Sequence, residues 1–216
     1  MAVEVEAKFL ADGAEPLAAL AAEGALDDAA LGPGRTVDEV DLYLDTADGR
    51  LASARWACRL RDRGDGPFLS LKGPAGDDEH APWLHRRPEV EGAAGASLDP
   101  ADWPPGEARD LLIQLAGGET LLERLRLVQR RTERAVAIGG AWLGTLSLDV
   151  VVVRQGDREV GEPLHLVELE LATGDPDALE ELERLARRLA DRPGLSPDPR
   201  TKLEHALELL GTPSAG

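Results

Sequence analysis

The sequence predicts an α+β fold: a closed or nearly closed β-barrel that keeps its charges inside and is covered outside by helices. Three observations carry this expectation. At least six strand-like segments repeat one design, apolar on one face and charged on the other. The charges cluster by type, with Arg59, Arg61 and Arg63 on one segment and the pairs Glu4/Glu6 and Glu168/Glu170 near opposite ends of the chain. Amphipathic helical segments, above all 176–191, provide apolar stripes that can cover a sheet. Like charges one pleat apart repel unless an opposite charge lies between them. The natural partner of the Glu pairs is a divalent cation, and that of the Arg and Lys strands is phosphate, which the planar Arg fork binds bidentately. A barrel brings these faces into one lumen, and such an inverted interior makes sense around a highly charged ligand.

The elements follow in order. Residues 2–10 alternate strictly, with Val3, Val5, Ala7 and Phe9 on one face and Glu4, Glu6 and Lys8 on the other, a surface suited to metal and phosphate. Residues 14–26 have helical spacing through Leu17, Leu20 and Ala21, and Gly32-Pro33-Gly34 breaks the pattern. Residues 36–45 form a strand with Val40, Leu42 and Leu44 opposite Glu39, Asp41, Tyr43 and Asp45; a turn at 47–49 and a short connection at 51–53 follow. Residues 56–63 and 68–73 make a hairpin across Gly64-Asp65-Gly66-Pro67, with Ser70 and Lys72 on one face of the return strand. Residues 73–82 are a polar loop. Residues 84–92 form a strand presenting Arg87, Glu89 and Glu91, although Pro88 cannot donate to a ladder.

The stretch 92–106 reads as loop and 107–127 as broadly helical, interrupted near Gly117-Gly118. Strands resume at 132–138, where Arg134 shares a face with Val136 and Ile138, at 144–154, where Asp149 shares a face with Thr145 and Ser147, and at 165–172, where Glu168 and Glu170 oppose Val167, Leu169 and Leu171. Helices close the chain at 176–191 and 201–210, separated by a loop with Pro193, Pro197 and Pro199. We expect one domain over 1–212 with a helical insertion at about 105–127 and a tail at 213–216.

Composition narrows the function. Forty-three per cent of the 216 residues are hydrophobic, enough for a sizeable core, but only 3% are aromatic, so that core rests on Leu, Val and Ala. The net charge of −17 repels nucleic acid and anionic membranes, so a polyanion must be caught by a local basic cluster, together with cations. Cys58 is the only cysteine; it admits no intrachain disulfide, and beside Leu60 it reads as a small core residue. With no signal-like start and no apolar run of about 18 residues, the expectation is a cytoplasmic protein.

Taken together, these residues resemble the CYTH domain of the triphosphate tunnel metalloenzyme superfamily. Glu4-Val-Glu-Ala-Lys8 matches its Glu-x-Glu-x-Lys strand, and Tyr43-Leu-Asp45-Thr46 resembles its Tyr-x-Asp-Thr motif. Arg59-Leu-Arg61 matches the Arg-x-Arg strand, and Leu69-Ser-Leu-Lys72-Gly73-Pro74 the Lys-Gly strand end. Arg134 fits a later Arg position, for which Arg130 and Arg131 compete; Asp149, Glu168-Leu-Glu170 and Thr201-Lys202 complete the set, over residues 2–210. The resemblance implies an eight-stranded antiparallel tunnel that binds triphosphates with Mg²⁺ or Mn²⁺. It implies metal ligation by Glu4, Glu6, Asp149, Glu168 and Glu170, and phosphate binding by Lys8, Arg59, Arg61, Lys72, Arg134 and Lys202. The catalytic set it implies is Glu4, Glu6, Lys8, Lys72 and Glu168. At this length the expectation is a chain without the helical phosphate-binding domain often fused to this family.

The implied reaction is hydrolysis of a terminal phosphoanhydride, with inorganic triphosphate as first substrate because no base-reading motif stands out. Thiamine triphosphate and cyclisation of ATP follow, and a non-catalytic polyphosphate or nucleotide sensor is the rival of another class. The expected partner is a small triphosphate, with no nucleic acid and no membrane; the oligomeric state stays open between monomer and homodimer. Other residues take plainer readings. Arg63, Glu89 and Glu91 fit the rim or solvent as well as the site, and Tyr43 and Asp45 fit strand-end packing and a turn. His80, His85, His165 and His205 lack metal-ligand spacing, so surface or loop positions are expected for them. Trp56, Trp83, Trp103 and Trp142 are too scattered for a stacking platform and read as packing.

Overall fold

Eight strands close into an antiparallel barrel, and the strict two-residue alternation decides which side chains it encloses. The computed structural model describes residues 2–64, 66–74 and 81–211. The barrel strands are β1 (Ala2–Ala11), β4 (Arg35–Thr46), β5 (Ala57–Asp62), β6 (Pro67–Lys72), β7 (Leu84–Ala93), β8 (Leu121–Ile138), β9 (Ala141–Gln155) and β10 (Arg158–Leu171). Their order is β8-β4-β5-β6-β7-β1-β10-β9, and β9 pairs back onto β8. A small hairpin, β2 (Ala25–Leu26) and β3 (Ala29–Leu31), extends from β8, and β11 (Leu195–Pro197) lies along β1. The helices are α1 (Ala14–Ala22), α2 (Arg50–Ser53), α3 (Glu107–Ala116), α4 (Pro176–Ala190) and α5 (Lys202–Leu209). Among the described residues no helix is long and apolar enough to cross a membrane.

The outer faces are apolar and covered, as the inverted design requires. Val5, Ala7 and Phe9 of β1 join Val167 and Leu169 of β10 under Leu17 and Leu20 of α1 and Leu182, Leu185, Ala186 and Leu189 of α4. The α4 spacing of i, i+3, i+4 and i+7 is that of a one-sided helix, started by Pro176 in its first turn. A second outer core joins Leu60, Leu69, Leu71 and Val90 to Ala108, Leu112 and Ala116 of α3. Cys58 lies there, buried and without a partner cysteine, and burial raises its thiol pKa far above the ordinary range.

One expectation is corrected, the length of the helix that begins at 107. The segment 107–127 is helical only to Ala116, where Gly117 takes the left-handed conformation and donates its N–H to the Ile113 carbonyl, a common helix stop. From Leu121 the chain is strand, because Leu125 and Leu127 alternate into the barrel interior, a spacing that also passes for part of a helical stripe. Pro88 sits inside β7 without breaking it. Its missing N–H falls where β6 ends, and its carbonyl accepts from Gly73 N–H at 2.9 Å. A Cβ on Gly73 would lie 2.6 Å from the Pro88 ring, so glycine is required there. The loop residues 75–80, with His80, Asp65 of the hairpin loop and the tail 213–216 lie outside the described residues.

Candidate functional site: a charged lumen closed at one end

The lumen divides by height. At its lower end Leu125 and Leu127 of β8, Val151 and Val153 of β9 and Leu166 of β10 point inward and pack with Tyr43 and with Ala206 of α5. Leu203, Leu207 and Leu210 pack there too, so α5 closes this mouth. A capping box starts the helix: Glu204 N–H donates to the Thr201 hydroxyl and Thr201 N–H to the Glu204 carboxylate. Asp198 anchors its approach, donating its N–H to the Lys8 carbonyl while its own carbonyl and carboxylate meet His85 and His205, which are buried in β7 and α5 and not at the surface as expected.

Above this plug the lining is charged. A cavity of about 410 Å³ is bounded by Glu4, Glu6 and Lys8 of β1, Arg59 and Arg61 of β5, Lys72 of β6, Glu168 and Glu170 of β10, and Lys202 at the start of α5. β5 and β10 are four strands apart around the barrel, so Arg59 and Arg61 face Glu168 and Glu170 across it. Glu6 pairs in register with Glu170, and Lys8 with Glu168, which places the two Glu-x-Glu strands side by side.

Every acid of the lower lumen is answered by a base. Asp149 is fully buried and accepts bidentately from Arg131, Nε to Oδ1 at 2.8 Å and Nη2 to Oδ2 at 2.7 Å, and from Lys202 Nζ at 2.6 Å. Glu168 accepts from the same two donors at 2.8 and 2.9 Å. Burial opposes ionisation of both carboxyls, but Lys202, with Lys8 and Arg131 at Glu168, overrides it and holds them below the usual range. Higher up, Glu4 accepts from Lys72 and from Arg87 Nε, and Arg87 also reaches Glu6 at 3.2 Å. Burial again works against Glu4, and Lys72 and Arg87 outweigh it. On the opposite wall, Asp41 takes Arg61 bidentately at 2.7 and 2.8 Å, and Glu39 takes Arg63 at 2.7 Å.

Arg59 and Glu170 depart from this neutralised pattern. Among the described residues Arg59 Nε is buried with no hydrogen-bond partner, and the nearest Arg59 ion pair, to Asp41, is a loose 3.6 Å. Glu170 has no ion-pair partner among the described residues. Partial desolvation within the tunnel, which its water-exposed side chain limits, and then the charges of Glu4 and Glu6 push its carboxyl up to about 7. The lumen therefore presents an unspent guanidinium opposite an unspent carboxyl.

The structure relocates several residues. Arg134 does not reach the lumen: on the outward parity of β8, it donates to the carbonyls of Leu20, Ala21, Leu31 and Gly32 and ties α1 and β3 to the barrel. Arg130 is exposed, and Arg131, one parity step from either, is the Arg that enters. Asp149 lies behind Arg131 and Lys202 with both oxygens occupied, the setting of a group that orients cations and not of an open metal ligand. Glu89 and Glu91 line the cavity, as do Arg63 and Arg87, and Ser70 donates to Glu89 at 2.6 Å. Asp45 accepts from the N–H groups of Thr46, Leu51 and Ala52 and so builds the turn into α2, whereas Tyr43 lines the lumen floor. Trp142 does not pack: it is 65% exposed at the upper mouth. Glu39 and Asp41 stand on the polar face of β4, but only closure of the barrel shows them as counter-ions of the arginine strand.

Among the described residues no three acidic, His or Cys side chains are gathered tightly enough to hold an ion. The donor chemistry nevertheless suits one. Glu4, Glu6, Glu168 and Glu170 are all-oxygen donors on adjacent strands, appropriate to a hard divalent cation; Glu4, Glu6 and Glu168 are held by Lys72, Lys8 and Lys202, cations that a polyanion would draw away, and Glu170 is held by none of the described residues.

A family model described as the CYTH domain matches residues 2–201. Among curated proteins none matches the chain. Among solved structures, a Hippeastrum protein described as a candidate adenylyl cyclase with a dominant triphosphatase activity superposes with a TM-score of 0.64 at 21% identity, over 97% of this chain and 96% of that one. A candidate adenylate cyclase from Bacillus halodurans gives 0.57 at 18%, over 95% and 98%, and a Pyrococcus horikoshii OT3 protein gives 0.53 at 21%, over 95% and 98%. At these identities the likeness is one of fold.

Proposed function

The chain belongs to the CYTH family, the triphosphate tunnel metalloenzymes, and from that premise we propose that it hydrolyses the terminal phosphoanhydride of a triphosphate with a divalent cation. The observation that carries this reading is the lumen itself, with Arg59 and Arg61 facing Glu168 and Glu170 across a cavity of about 410 Å³. Inorganic triphosphate is the first substrate we assign. Charged side chains make up most of the lining, and α5 closes the lower mouth, so a short polyanion must enter and leave by one end.

In this reading Lys8, Arg59, Arg61, Lys72, Arg131 and Lys202 hold phosphate oxygens, and Arg87 stands beside them. Arg59 is available without breaking a strong pair. Glu4, Glu6, Glu168 and Glu170 hold Mg²⁺ or Mn²⁺, which when bound neutralises charge on the phosphates. Fixed guanidinium and ammonium groups stabilise the charge that spreads over the transferred phosphoryl group. Glu4, Glu6 and Glu168 are the candidates to accept the proton of the attacking water. In the resting lumen Lys72, Arg87, Arg131 and Lys202 keep Glu4 and Glu168 weakly basic. Drawing Lys72 and Lys202 onto phosphate restores that basicity at the moment it is needed.

The test is phosphate release from inorganic triphosphate, thiamine triphosphate and ATP with each cation, with cyclic AMP measured alongside. We expect Lys72→Ala and Glu168→Ala each to abolish release while circular dichroism shows the barrel intact. Full activity in both variants would end the assignment, cyclic AMP as the main product would make it a cyclase, and tight binding without release would make it a sensor.

A further inference from the structure

The open end of the lumen carries two exposed aromatic side chains where the charged lining stops. Trp142 is 65% exposed and Phe68 44%. In a chain with 3% aromatic residues this placement asks for a reason.

Trp142 is turned there by a backbone irregularity. The β8–β9 hairpin closes through Gly139 and Gly140, both at positive φ, as a tight two-residue turn requires. Just inside it, Val136 pairs with Gly144 but Ala137 pairs with Trp142, which makes Leu143 an inserted residue. Such a bulge re-aims side chains. Leu143 enters the outer core, and Trp142 returns to the face of Thr145 and Ser147. Without the bulge, Trp142 would share the outward face of Gly144 and Leu146. The indole is held in place, donating Nε1–H to the Gly144 carbonyl at 2.8 Å.

Phe68 lies on the face of β6 that carries Ser70 and Lys72. β6 and β9 are four strands apart in either direction, so the two rings stand on opposite walls of the mouth. The cavity under Trp142 and a second one of about 560 Å³ beside Phe68 share Arg59, Arg61, Arg63 and Glu91. Four strand steps of about 3.3 Å, roughly 13 Å, separate Trp142 from Ser147, which pairs in register with Glu168. A triphosphate chain and its ester linkage can bridge that distance. Charged Arg63, Glu91 and Glu133 stand near the rings, so this is not the continuous apolar patch a protein partner would need.

We propose that Trp142, faced by Phe68, is a stacking platform for the aromatic base of a nucleoside triphosphate whose phosphates occupy the lumen. This rests on the lumen being a triphosphate site and extends it: inorganic triphosphate fills the lumen alone, whereas an aromatic ester of it gains a second contact at the mouth. Stacking on an aromatic side chain is tolerant of base identity, so the preference is for a ring and not for one base.

The test is calorimetric binding of ATP and of inorganic triphosphate in EDTA, where turnover does not intervene. In Trp142→Ala the ratio of the ATP Kd to the inorganic triphosphate Kd rises about tenfold, Trp142→Phe keeps most of the preference, and Phe68→Ala raises the ratio less. ATP, but not inorganic triphosphate, quenches tryptophan fluorescence in the wild type, and Trp142→Phe loses that quenching. An unchanged ratio, equal weakening of both ligands, or a wild-type dimer that Trp142→Ala dissociates overturns the platform while leaving the phosphate site standing. If neither ligand binds the wild type in EDTA or with Mg²⁺ added, the reading of the lumen fails and the platform with it.

Discussion

The upper and lower halves of the lumen are built on the same strands and do opposite things. On β8 the inward series runs Arg131, Gln129, Leu127, Leu125; on β9, Ser147, Asp149, Val151, Val153; on β10, Glu168 then Leu166. Within one or two pleats each strand passes from charge to hydrocarbon. The lower half is a small conventional core with α5 as its lid. The upper half is a set of ion pairs around a cavity, held at a charge density that only a rigid frame can sustain. Height along a barrel strand, as well as its inward or outward parity, therefore decides what a side chain is for.

The seam between the halves is where a single substitution should cost most. Asp149 is fully buried and holds both Arg131 and Lys202. Asp149→Ala leaves two buried cations short of a partner, and breaking such a pair costs about 3–5 kcal/mol. We expect that loss in urea unfolding, together with loss of activity. A loss below about 1 kcal/mol would mean that the two cations find water or Glu168 instead.

The next two substitutions separate the halves. Leu125 is fully buried beside α5. Leu125→Ala should destabilise by about 3 kcal/mol through lost burial and a residual cavity, while the folded fraction keeps nearly its full turnover. Arg59→Ala should do the reverse. Asp41 retains Arg61 and Gln129, so stability changes little, whereas kcat/KM falls about a hundredfold, the loss of one fixed donor to a developing charge. Coincident losses of stability and turnover in both variants would show that the halves act as one unit.

Much of this was legible because alternation is a local property. The inward sets on β1, β5, β6 and β10 follow from parity alone, and so do the helices covering the outer faces. Parity also bears on the arginine: Arg134 shares a face with Val136 and Ile138, and stepping back to Arg131 along the same strand reaches the lumen. What stayed hidden depends on three dimensions or on a broken pattern. The bulge at Leu143 reverses parity and leaves no mark in composition, so Trp142 reads as packing. Leu121, Leu122 and Leu125 fit helical spacing as well as a strand, so the helix is drawn too long. Thr201-Lys202 marks a helix start, but nothing local says that this helix closes a barrel, and Glu39 and Asp41 become counter-ions only once β4 meets β5 and β8.

The smallest effect lies in the pH dependence of the upper half, and it has a sign that the seam cannot imitate. Glu4, Asp41, Asp149 and Glu168 are held below their ordinary values by the cations around them, so their stabilisation is present above those ordinary values and fades as pH falls through the folded ones. Glu170 is raised from 4.5 to about 7, chiefly by burial and then by Glu4 and Glu6. Its contribution is present in full below 4.5 and is lost as pH rises through 7. In EDTA, therefore, the melting temperature should decline between about pH 5 and 8. Glu170→Gln, which stays neutral throughout, should flatten that decline and leave the acid limb untouched. Because Glu170 remains open to water inside the tunnel, solvent screening keeps the effect to a fraction of what full burial would give. A decline that persists unchanged in Glu170→Gln would place the titrating group elsewhere. One that vanishes when Mg²⁺ or Mn²⁺ is added to the wild type would tie the same carboxyl to the cation.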